Sequence, residues 1–400
     1  MSSQKNQSQV RKRRVFYIPG YDPIHPRRYR ELYRKEGRAQ GEISGYDISL
    51  SARTNDGPYG WHVSSCQDGL AVDTDFEVLV WSDIVRDSMD TSIAATYLQL
   101  ARTVWIYLST GAIWRLMRLR KGPVIAALYP VGMLLAQLMA AFGVVWAGFT
   151  LLGWPGLAAG LLVALVLLRW FRKIDNRLLA YYLMHDYAYS SREWGGVSPE
   201  MQSRMRQFVE LIGQAMETEV DEVLVVGHSS GAHLGVSVLA DLLRSEPVSE
   251  DGPVLSFLTL GQVVPMVSFL PDAHQLRSDL QFMSSRTDLT WIDVSAPGDG
   301  CAFALCDPVC VSGVAGSDKR WPLVLSAAFT QTLSADRWKA LRWRFFRLHF
   351  QYLCAFDEPG DYDYFRITAG PLTLGERFRN RAPSRSRIEE AVSGYTSVHS

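Results

Sequence analysis

The chain predicts an α/β protein built on a mostly parallel sheet flanked by helices, and two observations lead there. Short apolar, β-branched runs alternate with longer stretches of helical spacing, the pattern of a parallel sheet buried between helices. The run at residues 223–226, Val-Leu-Val-Val, is apolar at every position, as a central strand covered on both faces requires. A third observation sets the chain apart from an ordinary α/β domain: residues 122–168 carry no charged side chain at all.

Taken in order, Val15-Phe-Tyr-Ile18 reads as a strand stopped by Pro19-Gly20-Tyr21-Asp22-Pro23, and residues 27–40 are charged and helix-compatible. Residues 46–52 and 60–64 fit two strands across the turn-rich Asn55-Asp56-Gly57-Pro58, and residues 76–81 a stronger strand. Helical spacing returns over residues 92–120, where Trp105 and Trp114 beside Arg115 and Arg118 suit a helix lying at headgroup level. Residues 176–189 and 199–217 are again helical and lead to the 223–226 strand. Beyond it, Leu234, Val238, Leu239 and Leu242 mark one helix face, and residues 255–260 and 289–294 read as two further strands.

Composition narrows the function classes. Forty-one basic and 41 acidic residues balance in 400, so no overall charge excess argues for a nucleic-acid partner. A basic amino-terminal stretch (Lys5, Arg11, Lys12, Arg13, Arg14) reads as a solvated tail or a contact for anionic lipid. The five cysteines are odd in number and form no zinc-ligand spacing, which favours reduced thiols, no metal and a cytosolic setting. The amino terminus has no apolar core of the kind a cleavable secretory signal carries.

A bilayer span takes ~20 apolar residues, so the uncharged block has length for two helices and a turn. Gly153-Trp154-Pro155-Gly156 is a turn candidate that leaves the second span short, which places the reversal there or a few residues earlier. Arg115, Arg118, Arg120 and Lys121 precede the block and Arg169, Arg172, Lys173 and Arg177 follow it. A hairpin with both ends on the cytoplasmic side satisfies both clusters, whether it spans the bilayer or inserts without crossing.

The 223–226 strand runs into Gly227-His228-Ser229-Ser230-Gly231. Small residues on either side of Ser229 allow a sharp turn, and the following helix aims free N–H groups at it, so Ser229 is a candidate nucleophile. A base and an orienting acid must accompany it. Of the histidines after Ser229, His233 lies in the next helix, His274 precedes the expected acid strand and His399 is in the tail, leaving His349. Asp299, in the loop after Trp291-Ile-Asp-Val294, sits where a sheet's carboxyl edge builds sites; Asp307 is the alternative acid, and Asp293, inside the strand, reads as structural. Ser230 and Tyr21 are candidate backbone donors to an oxyanion, the latter from the Pro19-Gly20-Tyr21 loop, which also reads as an ordinary turn.

With Tyr17-Ile-Pro-Gly-Tyr21 as an early strand and loop, the elbow glycines Gly227 and Gly231 around Ser229, and Asp299 and His349 downstream, the chain resembles the α/β-hydrolase superfamily. The 291–299 segment is also similar to the acid-bearing strand and loop of intracellular DDHD-type phospholipases. The resemblance implies a hydrolase-like sheet into which the membrane hairpin is inserted. It divides the chain into a disordered basic tail (1–13), a first catalytic part with an interfacial helix (14–121), the hairpin (122–170), a second catalytic part (171–375) and a disordered tail (376–400). It further implies a membrane-anchored serine hydrolase, cytoplasmic in its catalytic part, that cleaves an ester or thioester of a lipid or other apolar acyl substrate without a cofactor. An acyltransferase with the same residues, or a non-catalytic scaffold of the same fold, are the alternatives. Two departures stand out: Pro19-Gly20 occupies a place where many relatives have His-Gly, and the insertion precedes the elbow strand rather than following it.

Overall fold

In the computed structural model the described residues are 9–53, 57–89, 91–245, 249 and 251–399. Eight strands form one sheet: β1 (Lys12–Ile18), β2 (Asp47–Ser51), β3 (Gly60–Gln67), β4 (Leu70–Val78), β5 (Glu222–His228), β6 (Val254–Leu260), β7 (Leu289–Ser295) and β8 (Leu323–Ser326). Their spatial order is β2-β3-β4-β1-β5-β6-β7-β8, and β3 alone runs against the rest. Every residue of β5 is buried, as its unbroken apolar run demands, and helices Pro199–Met216 and Ser230–Ser245 pack together beside it.

The order places β1 between β4 and β5, so the chain leaves β1 toward one side of the sheet and later crosses to the other. Such a reversal opens a crevice at the carboxyl ends of the strands. The loops after β1, β5, β6 and β7 all begin on that edge, because these strands are parallel.

Beside that edge stands the 53-residue helical run Lys121–Lys173, non-helical at Gly153 (φ 63°, ψ −140°). The chain reverses there. A Cβ added to Gly148 would stand 2.4 Å from the Gly156 carbonyl oxygen, and one added to Gly160 would stand 2.9 Å from Val145 Cα. Glycines thus let the two arms meet backbone to backbone, as closely packed apolar helices do. At the open end the Tyr129 hydroxyl donates to the Leu178 carbonyl at 2.7 Å. Residues 154–173 rise ~30 Å at the α-helical pitch, about the thickness of a hydrocarbon core. The run is long and apolar enough to cross a membrane, and only 17% of its most apolar stretch is buried. Leu151 and Trp154, at the bend, are 80% and 76% exposed.

Several boundaries differ from the sequence expectation. The 92–120 stretch is two helices, Ile93–Ser109 and Ala112–Leu119, parted where Gly111 adopts φ 69°. β4 starts at Leu70, joined to β3 by Asp68 and Gly69 at φ 54° and 77°, a hairpin turn whose polar flanks concealed it. Asn55 and Asp56 of the expected turn, and Lys5 of the basic stretch, lie outside the described residues.

Arg13 is no tail residue. It is buried in β1, its Nε 2.6 Å from the Glu222 carboxylate, and its two terminal nitrogens donate to the carbonyls of Gly370 and Leu372. Glu222 also accepts from Ser256 Oγ and Leu374 N, both at 2.7 Å. The carboxyl-terminal segment likewise departs from the expected disordered tail. Ser384 N bonds to Val324 O, Ile388 pairs with Leu305 and Asp307 in both directions, and Arg277 Nε reaches Ser397 O at 2.7 Å. Val392 is 4% exposed. Its backbone is satisfied by neighbouring loops rather than by an element of its own, which leaves no periodic signal among the arginines and serines.

Asp293, in β7, is fully buried and accepts from Thr259 Oγ1 at 2.6 Å. Burial pushes its carboxyl up to about 7, and Asp307 adds to the rise. A folded-state value above the ordinary one means that the folded protein holds the proton more tightly, so this group's contribution to stability falls as pH rises from about 4 to about 7. Asp293→Asn should flatten that dependence: thermal unfolding followed at pH 5 and pH 8 should show the gap between the two narrow by up to ~3 kcal/mol.

Candidate active site

Ser229 stands at the end of β5 with φ 57°, a left-handed conformation rare for a residue with a side chain. The turn is tight enough that its glycines have no substitute: a Cβ on Gly231 would lie 2.1 Å from the Ile18 carbonyl oxygen, and one on Gly227 would lie 2.7 Å from the Gly231 oxygen. Opposite, in the loop after β1, a Cβ on Gly20 would come 2.9 Å from Ser229 Cβ. Backbone of the first strand's loop therefore sits directly against the serine.

From β7, Asp299 enters the same region, its carboxylate buried. His349 Nδ1 donates to Asp299 Oδ2 at 2.7 Å, Tyr352 Oη donates to that same oxygen at 3.0 Å, and Cys301 N donates to Oδ1 at 2.9 Å. The other imidazole nitrogen, Nε2, is buried without a hydrogen-bond partner. Ser229 and His349 line one cavity, together with Gly20, Tyr21 and Ser230, and no hydrogen bond joins the serine to the imidazole in this conformation. The backbone N–H groups of Tyr21 and Ser230 donate to nothing among the described residues. Ser230 opens the Ser230–Ser245 helix, whose positive end faces this cavity.

Asp307, the alternative acid, is placed elsewhere. It caps the Pro308–Val311 turn by accepting from Val309 N and Cys310 N, each at 3.0 Å, and it pairs with Lys319 Nζ at 2.7 Å. No bond links it to His349. Asp299, Cys301 and His349 could each offer a metal one ligand atom, all within 4.8 Å of one another, and Asp307, Cys310 and Glu389 form a second such group. In the first, the imidazole nitrogen nearest the carboxylate is already spent on a hydrogen bond; in the second, Lys319 already neutralises Asp307. All five thiols are free.

Three side chains that the sequence did not single out shape the site. Tyr352 holds Asp299 and also accepts from Ala296 N at 2.9 Å, fixing the acid loop to the segment carrying His349. His228, next to the serine, donates from Nε2 to the His349 carbonyl at 3.0 Å. Burial first, and His349 second, keep its imidazole well below the usual histidine range and therefore neutral, as a lone donor to a carbonyl should be. Asp186, on the Ala180–Ser191 helix, lines the cavity, and burial raises its carboxyl to about 7 while His349 draws it down. Spacing along the chain could not have marked Tyr352 or Asp186, whose partners are set by the fold; His228 was visible only as a motif filler.

Tyr352→Phe removes one donor to the buried carboxylate and leaves the ring. A hydrogen bond to a charged group is worth about 1.5–3 kcal/mol. If Asp299 orients His349, turnover should fall roughly 10- to 100-fold with little change in KM, a split that steady-state kinetics resolves.

No family model, no curated protein and no solved structure matches this chain.

Proposed function

We propose that the protein is a membrane-anchored serine hydrolase of the α/β-hydrolase type, acting through an acyl-enzyme on a carboxylic ester or thioester of a lipid or other apolar acyl substrate. One observation carries the reading: a serine forced to φ 57° at the carboxyl edge of a parallel sheet shares a cavity with a histidine whose far nitrogen is bonded to a buried aspartate. Structural packing alone has no use for a left-handed serine between glycines that cannot be replaced.

In this mechanism Ser229 Oγ attacks the carbonyl carbon while His349 Nε2 takes its proton. Asp299 holds Nδ1 in the donor tautomer and stabilises the imidazolium. The free N–H groups of Tyr21 and Ser230 receive the oxyanion, and His349 returns the proton to the leaving alcohol or thiol. Water, deprotonated by the same imidazole, then attacks the acyl carbonyl, and Ser229 leaves with its proton restored. The transfer requires Ser229 Oγ and His349 Nε2 to come within hydrogen-bond reach, and such catalytic bonds commonly tighten only once substrate is bound.

The membrane part of the reading draws on the Lys121–Lys173 helix, exposed over most of its apolar length, and on the exposed aromatic residues Trp105, Trp114 and Trp170. Arginines and lysines cluster at both ends of the helix, which supports the reading that both ends and the catalytic part face the cytoplasm. Pro123, in the first turn of the helix, lines the cavity itself. A substrate partitioned into the bilayer therefore has a short route to Ser229.

A fluorophosphonate probe tests the chemistry in detergent-solubilised protein. Labelling mapped by mass spectrometry to the peptide bearing Ser229, and lost in Ser229→Ala, is the expected result. Labelling on another serine, or none in folded protein, excludes the mechanism.

A further inference from the structure

The segment that delivers His349 to the cavity is also the most conspicuous surface of the catalytic part. Between the helices Ala335–Leu341 and Phe345–His349, Trp343 is 73% exposed and Phe345 47%. Arg342, Arg344 and Arg347 are exposed between and beside them, as is Lys339. None of these four cations is paired with a carboxylate among the described residues, and Arg342 lies 5.7 Å from the Trp343 ring. Asp336 is the one acidic residue from 335 to 349. Large apolar side chains left in water beside unpaired cations mark a surface that is covered in use.

Its position says by what. A Cβ on Gly300 would stand 3.2 Å from Phe345, and one on Gly122 would stand 3.4 Å from Gly300 Cα. One glycine of the acid loop is thus sandwiched between Phe345 and the first turn of the Lys121–Lys173 helix. Exposed Lys121 opens that turn, and Ile125, one turn further on, is 66% exposed. The aromatic and cationic segment thus lies beside the first turn of the apolar helix, and indole rings with basic side chains are the groups that settle among headgroups.

We infer that Trp343, Phe345, Arg342, Arg344 and Arg347 form a docking surface for anionic phospholipid headgroups, which seats the His349 segment on the bilayer and turns the cavity mouth toward it. The aromatic rings enter the interface and the guanidinium groups pair with lipid phosphates. Pro123 and Phe346 both line the cavity, and Phe346 packs edge-on against Tyr182 at 5.8 Å. The cavity wall therefore includes both the apolar helix and this segment. The inference rests on the helix being the membrane element and not on the chemistry proposed for Ser229.

Hydrogen exchange read by mass spectrometry on the full chain in lipid nanodiscs tests it. Amides of residues 339–348 should exchange about tenfold more slowly in discs containing phosphatidylglycerol than in discs of phosphatidylcholine alone. Each arginine changed to glutamine (Arg342→Gln, Arg344→Gln, Arg347→Gln) should reduce that difference about twofold, with exchange in β5 to β7 unchanged as the control for folding. Equal protection in both discs overturns recognition of anionic lipid, and no protection in either overturns docking. Protection that requires an acidic protein instead of lipid overturns the choice of partner. Fluorophosphonate labelling of the same samples keeps the two readings apart: lipid-dependent protection without labelling sinks the hydrolase alone, and labelling without protection sinks the docking surface alone.

Discussion

Ser229→Ala, His349→Ala and the double variant should all lose about the same turnover, on the order of 10⁶-fold each, rather than multiplying. A nucleophile without its base is as disabled as a base without its nucleophile, because one proton transfer serves both. The residual rate belongs to the backbone donors and to substrate binding, which none of the three changes touches. KM should move little. Asp299→Asn stands apart: it keeps a partner for the imidazole but inverts the hydrogen bond at Nδ1, favouring the wrong tautomer, and should cost about 10⁴-fold. Steady-state hydrolysis of a chromogenic acyl ester measures all four. Additive losses for the single and double variants would show that serine and histidine do not act as a unit.

Gly231→Ala should have the largest effect on the fold. The new methyl would stand 2.1 Å from the Ile18 carbonyl oxygen and 2.7 Å from that of Pro19, both backbone atoms of the central strand and its loop. Neither can move without disturbing the β1–β5 register, in which Ile18 faces Gly227. Overpacking of this kind costs about 3 kcal/mol or more. Thermal unfolding should shift down by several degrees or the variant should fail to accumulate, and fluorophosphonate labelling should disappear with the turn. Gly143→Ala supplies the contrast, since nothing lies within 4 Å of the position its methyl would take. It should leave unfolding and labelling as they were.

What the chain reveals before folding depends on whether a signal is local. The Val223–Val226 run, buried on both faces, announces a central strand by composition, and the glycines around Ser229 announce the turn. His349 emerged by exclusion and Asp299 by its place after a strand; the structure joins the two at 2.7 Å. Other features are long-range and left no periodic trace. β8 is four residues long, too short to alternate visibly, and exists because β7 offers it an edge. Ile388 and Val392 are isolated apolar residues, half-buried and buried respectively because the loops after β7 and the Pro308–Val311 turn receive them. Tyr352 belongs to a short aromatic stretch that reads equally as core, and only the proximity of the acid loop gives its hydroxyl a task. The alternative acid, Asp307, is instead held by the turn it caps.

The buried pair of Arg13 and Glu222 also bears on how the protein is made. These residues lie 209 positions apart, and Arg13 is capped by carbonyls of Gly370 and Leu372, later still. Until the ribosome has released most of the chain, β1 has no β5 beside it and its guanidinium has no counterion. The apolar helix, finished by residue 173, emerges long before either partner. Biosynthesis therefore completes this helix while the sheet is still open, and closure of the sheet comes last.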